Sequence, residues 1–166
     1  MSADRTAALA AAVDRLRTET AVPGLIAAAA RAFVEVLAAP ACTISRVIGD
    51  LLVDLVQHQR SGTAERLGHG YLISDYPLTR AVIEERRPYT VFSGDPESDP
   101  NEVRLLKELG YASLLMVAIE ADDGAWGLVE VYGDEGRRFE DEDLRVAERL
   151  AGEVGEVLRQ LERPAA

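Results

Sequence analysis

The sequence predicts an α+β fold built on antiparallel strands, and three observations predict it. The β-prone runs Ala41 to Ile48 and Leu51 to Gln59 flank Gly49-Asp50, a pair that accepts the positive φ of a two-residue hairpin turn. The runs Ser113 to Glu120 and Ala125 to Tyr132 flank Ala121-Asp122-Asp123-Gly124, a second hairpin loop of favoured chemistry. Helical spacing brackets the two hairpins, and hairpins at both ends of the element order argue against a doubly wound parallel sheet.

Residues 4–19 form the first helix, since alanine and arginine favour it and Leu9, Val13 and Leu16 recur along one narrow face. Pro23 is a tolerated first-turn proline that opens a second helix. Its apolar face runs through Leu25 or Ile26, Ala29, Phe33, Val36 and Leu37 until Pro40 stops it. After the first hairpin, Ser61-Gly62-Thr63 marks a turn, His69 to Ser74 a short strand, and Pro77 to Arg86 a short helix with Leu78, Val82 and Ile83 inward. Tyr89 to Phe92 is a fourth strand. Ser93 to Asn101, with Gly94, Pro96 and Pro100 among acidic residues, reads as exposed loop before a helix from Glu102 to Leu109 that Gly110 caps.

The second hairpin leads to a long helix from about Glu140 to Glu162. Leu144, Ala147, Ala151, Val154, Leu158 and Leu161 follow one another there in steps of three and four, the seam spacing of a coiled coil. Gly152 and Gly155 each cost about 1 kcal/mol in a helix interior relative to alanine. A close approach of another backbone and a loosely held helix both account for them.

At 166 residues the chain suits one domain with terminal helices: a helix over 1–20, a core over 21–139 and a final helix over 140–166. Forty-eight per cent apolar residues exclude disorder as the main state. Eighteen basic and 29 acidic residues give a net charge of −11, a field that repels nucleic acid and anionic membrane surfaces. The one cysteine, Cys42, makes no internal disulfide and no Cys-x-x-Cys site. Charges run through residues 1–20, unlike a signal peptide, and the richest apolar run, Leu25 to Ala30, meets Arg31 and Glu35 well short of a membrane span. A cytoplasmic location is expected.

Tyr76-Pro77-Leu78-Thr79-Arg80-Ala81-Val82-Ile83 followed by Arg87-Pro88-Tyr89-Thr90-Val91 resembles the helix and strand beside the pocket of bacterial GAF domains, which have a PAS-like fold. Leu106 to Gly110, Ser113 to Ile119 and Trp126 to Tyr132 resemble their paired closing strands. Phe139, the acidic run after it and the final helix complete a resemblance over about residues 20–160. Ala118 departs from it, since many relatives carry proline there. The resemblance implies a six-stranded antiparallel sheet with the N- and C-terminal helices on one face and short helices and loops roofing a pocket on the other. It implies a sensory domain in bacterial-type signal transduction. Members bind cyclic nucleotides, haem, bilins, amino acids or other small molecules, or serve as dimerising relays, and the fold alone selects none of these.

Under that roof the candidate ligand-binding residues are Tyr71, Ser74, Tyr76, Thr79, Tyr89 and Glu130. Tyrosines offer an apolar body with a hydrogen-bonding tip, which suits a small polar ligand in a greasy pocket. The same residues also read as core and helix-start positions. Glu130 interrupts an apolar strand on the face expected for Trp126, Leu128 and Tyr132, and a buried carboxylate needs a partner or a raised pKa. A cation such as Arg46 or Arg80 makes it a structural ion pair, which is the favoured expectation, and a ligand amine or hydroxyl makes it part of recognition.

Other chemistry finds little footing. Cys42 reads as a small buried hydrophobe. The GAF-type methionine sulfoxide reductases need several cysteines to resolve a sulfenic acid, so that activity remains a lesser alternative, and the aspartate-isoleucine-proline stretch of bilin-binding members is absent. His58 and His69 lack metal-binding spacing, and Ser45, Asp54 and His58 lack a nucleophile elbow. No cofactor is assigned. The resemblance therefore implies a non-catalytic sensory or regulatory domain that binds an unidentified small molecule, relays signal by homodimerising through helices 4–19 and 140–162, or does both, and whose relatives act on an output domain or partner such as a kinase or diguanylate cyclase. The alternative is a pure interaction domain whose pocket is filled by its own side chains.

Overall fold

In the computed structural model, which describes residues 1–62 and 68–163, the chain folds as α1 (Ala3–Arg17), α2 (Val22–Leu37), β1 (Ala41–Ile48), β2 (Leu51–Gln59), β3 (Gly70–Leu72), a 3-10 turn (Ile73–Asp75), α3 (Pro77–Glu85), β4 (Tyr89–Phe92), α4 (Pro100–Leu109), β5 (Ser113–Ala121), β6 (Gly124–Gly133) and α5 (Asp141–Glu162). Thr63 of the expected turn and the final residues 164–166 lie outside the described residues. The six strands form one sheet in the order β3-β2-β1-β6-β5-β4. Every neighbouring pair is antiparallel, and the β1–β6 ladder joins the two predicted hairpins side by side. Gly49 supplies the positive φ of the first hairpin turn, at 60°.

Alternation along the strands divides the interior in two. Cys42 and Ile44 of β1, Leu115, Val117 and Ile119 of β5, and Val129 and Val131 of β6 face α1, α2 and α5. Ala41, Leu52, Leu114, Met116, Leu128 and Tyr132 face the opposite side, where Val82 of α3 and Leu106 of α4 cover them. Trp126 is not on the face of Leu128 and Tyr132, as its spacing predicts. Ile119 pairs with Gly127 and Glu120 with Ala125, so Trp126 is the extra residue of a β-bulge and its ring joins the helix-side core.

Of the boundaries that differ from expectation, two have plain local reasons. The third strand ends at Leu72 because the Ile73 N–H donates to the Asp50 carbonyl, and the Ser74 N–H and hydroxyl both donate to the Asp50 carboxylate. Helix α4 starts at Pro100 because the Asp99 side chain caps it, accepting from the Asn101 N–H at 2.8 Å.

The periodic stripe of α5 is used within the chain. Ala147, Ala151, Val154 and Leu158 are buried with α2 and β5 residues, so this seam is a seat for α5 on its own sheet and not a surface left for a second copy. Ion pairs fasten α1 alongside: Arg5 reaches Glu142 and Asp143, and Arg17 and Arg149 share the buried Glu153 at 3.0 and 2.6 Å. No helix among the described residues is long and apolar enough to cross a membrane.

Candidate functional site

Helices α3 and α4 and the β3 turn roof a cavity of about 70 Å³ against the sheet. Its floor is Thr43 of β1, Leu52, Asp54 and Gln57 of β2, and Glu130 and Tyr132 of β6. Its walls are Tyr71, Leu72, Ile73 and Tyr76, and its roof is Thr79 of α3 with Glu102, Leu105 and Leu109 of α4. Wider depressions of about 280 and 590 Å³ lie on the outer surface, beside α5 and between α1 and α2, among solvated charged side chains.

Four of the six sequence-predicted residues meet in this cavity: Tyr71, Tyr76, Thr79 and Glu130. The two tyrosine rings stand edge to face, 6.3 Å apart, as their quadrupoles favour. Ser74 lies outside, held by Asp50 at the hairpin turn. Tyr89 also lies outside. Its hydroxyl donates to Glu85, and Arg87 stacks 4.9 Å over its ring.

Hydroxyl groups hold the acids of the cavity. The Thr79 hydroxyl donates to Glu102 at 2.9 Å, the Ser45 hydroxyl to Asp54 at 2.7 Å, and the Tyr132 hydroxyl to Glu130 at 3.4 Å. Tyr111 stacks on the ring of Tyr132 at 4.8 Å. Burial pushes the Glu130 carboxyl up to about 8, with Glu102 and then Asp54 adding repulsion. Burial likewise raises Glu102, against the Thr79 hydrogen bond, and Asp54, against the Ser45 hydrogen bond and His69.

The expected ion pair to Glu130 does not form. Arg46 sits 4.5 Å over the Trp126 ring and donates to the carbonyls of Val47 and Trp126, because the bulge carries that ring to the helix side. Arg80 lies on the outer face of α3, paired with Glu84 one turn on.

Sequence reasoning missed Thr43, Asp54, Gln57, Glu102 and Tyr132. A signal existed for two of them: Glu102 shares a helical face with Leu105, Leu106 and Leu109, and Asp54 follows Leu52 in strand alternation.

Cys42 is fully buried on the helix side of the sheet, away from the cavity, and burial pushes its thiol well up. His58 pairs with Cys42 in register and borders an outer groove against α2, so Ser45, Asp54 and His58 make no triad. No cluster of potential metal ligands occurs among the described residues.

The sequence matches the GAF domain family over residues 22–158. The bacteriophytochrome RpBphP3 from the photosynthetic bacterium R. palustris has the same fold, with a TM-score of 0.85 and 16% identity over 98% of this chain and 39% of its own. The photosensory core module of Stigmatella aurantiaca phytochrome gives a TM-score of 0.81 at 16% identity, over 96% of this chain and 37% of its own. JSC1_58120g3, in a far-red absorbing dark state with bound biliverdin IXa, gives 0.79 at 15% identity over 94% of this chain and 99% of its own. The chain thus spans about two fifths of the two longer proteins, and at these identities the likeness is one of fold. Comparison with curated proteins gave no match.

Proposed function

The chain belongs to the GAF domain family, and we propose that it works there as a non-catalytic sensory or regulatory domain in bacterial-type signal transduction, taking a small molecule into the cavity beneath α3 and α4. The supporting observation is the convergence of Tyr71 from β3, Tyr76 and Thr79 from the start of α3, and Glu130 from β6 on one roofed space. These four are its contact residues in this reading.

The size of that space bounds the occupant. Clefts for drug-sized ligands run to about 300–1,000 Å³. At about 70 Å³ this space falls well short of that range and suits an occupant of a few heavy atoms. A bilin does not fit it, and Cys42 stands on the wrong side of the sheet to attach a pigment or to act as a reductase thiol on a ligand there.

The signal in this reading is a population shift: a ligand that prefers one seating of α3 and α4 on the sheet biases how α5 sits on the other face. The division into an N-terminal helix to residue 20, a core over 21–139 and a terminal helix from 140 belongs to it. So does homodimerisation through helices 4–19 and 140–162, which uses their outward faces because the seam of α5 is buried in its own chain. The output is an attached domain or partner protein, such as a kinase or diguanylate cyclase, in the cytoplasm. The charge of −11 disfavours nucleic acid and anionic membranes as partners.

The small volume favours a second reading, an interaction domain whose pocket is filled by Met116, Tyr132 and their neighbours. Native mass spectrometry and a thermal-shift screen of the whole chain separate the two. A retained small molecule, or stabilisation that Tyr76→Ala removes, supports the sensor. The absence of any shift across a chemically broad set overturns it in favour of the filled pocket.

A further inference from the structure

Three carboxyl groups from three elements converge on the cavity: Asp54 from β2, Glu102 from α4 and Glu130 from β6. Each receives a hydrogen bond from one neutral hydroxyl, leaving one oxygen of each without a partner among the described residues. Among the described residues no arginine, lysine or histidine lines the space and no ion pair reaches any of the three. From outside the lining, His69 acts on Asp54 and Arg104 on the Tyr76 hydroxyl. Glu102 is 1% exposed. Glu130 is half-buried on the cavity floor.

We propose, on the reading of this cavity as a ligand site, that its occupant is a small organic cation: a protonated primary or secondary amine whose N–H groups donate to Glu130 and Glu102. Once ionised, these carboxylates only accept hydrogen bonds, so the complement to this lining is a group rich in donors and positive in charge. Charge-assisted bonds of that kind are roughly twice as strong as neutral ones. A hydroxyl brings one donor and no charge, and an anion meets three acids. The remaining walls suit the rest of such a ligand, since Leu52, Ile73 and Leu105 offer apolar surface to an alkyl stub and Tyr76 an aromatic face to an ammonium.

The amine also supplies what the empty site lacks. Glu130 faces Asp54 on β2 and Glu102 on α4, whose charges oppose its own, and the hydrogen bond from Tyr132 on its own strand eases its negative charge only in part. An ammonium offsets it, so binding near neutral pH draws a proton off Glu130 into the solvent.

The test is thermal unfolding of the whole chain at pH 8.5 and matched chloride ionic strength, with methylammonium and ethanolamine against ethylene glycol, acetamide, acetate and sodium chloride alone. The ammonium probes raise Tm by about 3–6 °C at ten times their Kd, and the neutral and anionic probes do not. Glu130→Gln, which replaces a buried acid by an amide of the same shape, abolishes the ammonium shift, and Glu102→Gln, an independent variant, weakens it at least tenfold. If ethylene glycol or acetamide stabilises as well as the ammonium probes, if acetate stabilises, or if the ammonium shift survives in both variants, the charge assignment is overturned while the cavity stands as a ligand site. If no probe shifts the wild type, the assignment is overturned. If native mass spectrometry and the broad screen are then also blank, the ligand-site reading falls with it.

Discussion

The Cβ that any residue other than glycine would carry at position 155 falls 2.6 Å from the carbonyl oxygen of Glu120. Helix α5 therefore rests directly on the backbone of β5 at that point. At Gly152, one turn earlier, the same construction meets nothing within 4 Å. Of the two accounts open for these glycines, close backbone approach holds for Gly155 and not for Gly152.

Gly155→Ala is expected to destabilise the chain. Alanine gains about 1 kcal/mol of helix propensity. Overpacking against an unyielding backbone carbonyl costs about 1–3 kcal/mol, so the loss wins. Gly152→Ala has only the gain, about 0.5–1 kcal/mol. Urea unfolding of both variants checks the opposite signs, and stabilisation by Gly155→Ala would contradict the contact.

Glu130 makes stability fall as pH rises. Its folded pKa of about 8 lies above the ordinary carboxyl value of 4.5, so between those limits the folded chain holds a proton that the unfolded chain has released. The penalty is absent below about pH 4.5, grows at up to about 1.4 kcal/mol per pH unit, and levels off above about pH 8. Glu130→Gln removes this component. Its stability advantage over the wild type should widen from pH 5 to pH 8 in urea titrations, and an advantage that does not change with pH would refute the assignment.

Thr79→Val keeps shape and removes the hydroxyl that donates to Glu102. A buried carboxyl group that loses its donor costs about 1–3 kcal/mol. Because that hydrogen bond lowers the Glu102 pKa, the variant should also titrate Glu102 at higher pH. Carboxyl-carbon NMR reads the shift, and an unchanged titration would remove Thr79 from the site.

Cys42 should resist thiol reagents in the folded chain, being fully buried with its thiol pushed up by desolvation. Its labelling by a water-soluble disulfide reagent is expected to follow global unfolding, speeding in proportion to the unfolded fraction as urea is added. Rapid labelling without urea would show a local opening on the helix side.

Much of the fold was legible because short-range chemistry decides it. Gly49-Asp50 sets one hairpin, Gly110 adopts the positive φ that closes α4, and Pro23 and Pro77 open helices where their missing N–H does no harm. The site was legible where residues follow one another, in the stretch from Tyr71 to Thr79. It was illegible where long-range geometry decides. Glu102 sits among Pro100, Asn101 and other acids and reads as a solvated helix start, yet α4 turns it inward under α3. Trp126 was assigned to the wrong face because a single unpaired residue reverses strand alternation, and no local rule marks the bulge. The periodic stripe of α5 was legible as a seam, but its mate turned out to be the chain's own sheet.

Consecutive residues of β5 serve different compartments. Met116 touches Thr79 beneath the roof, while its neighbours Leu115 and Val117 press into the core that seats α5. One backbone's thickness is thus the whole insulation between the two. Protein interiors are close-packed, so under the proposed population shift a displacement of Met116 would bear on Leu115 and Val117. At the far end of the same strand Gly155 lets the Glu120 carbonyl lie directly against α5 with no side chain between them, so under the proposed population shift the strand and the helix would move as one body there.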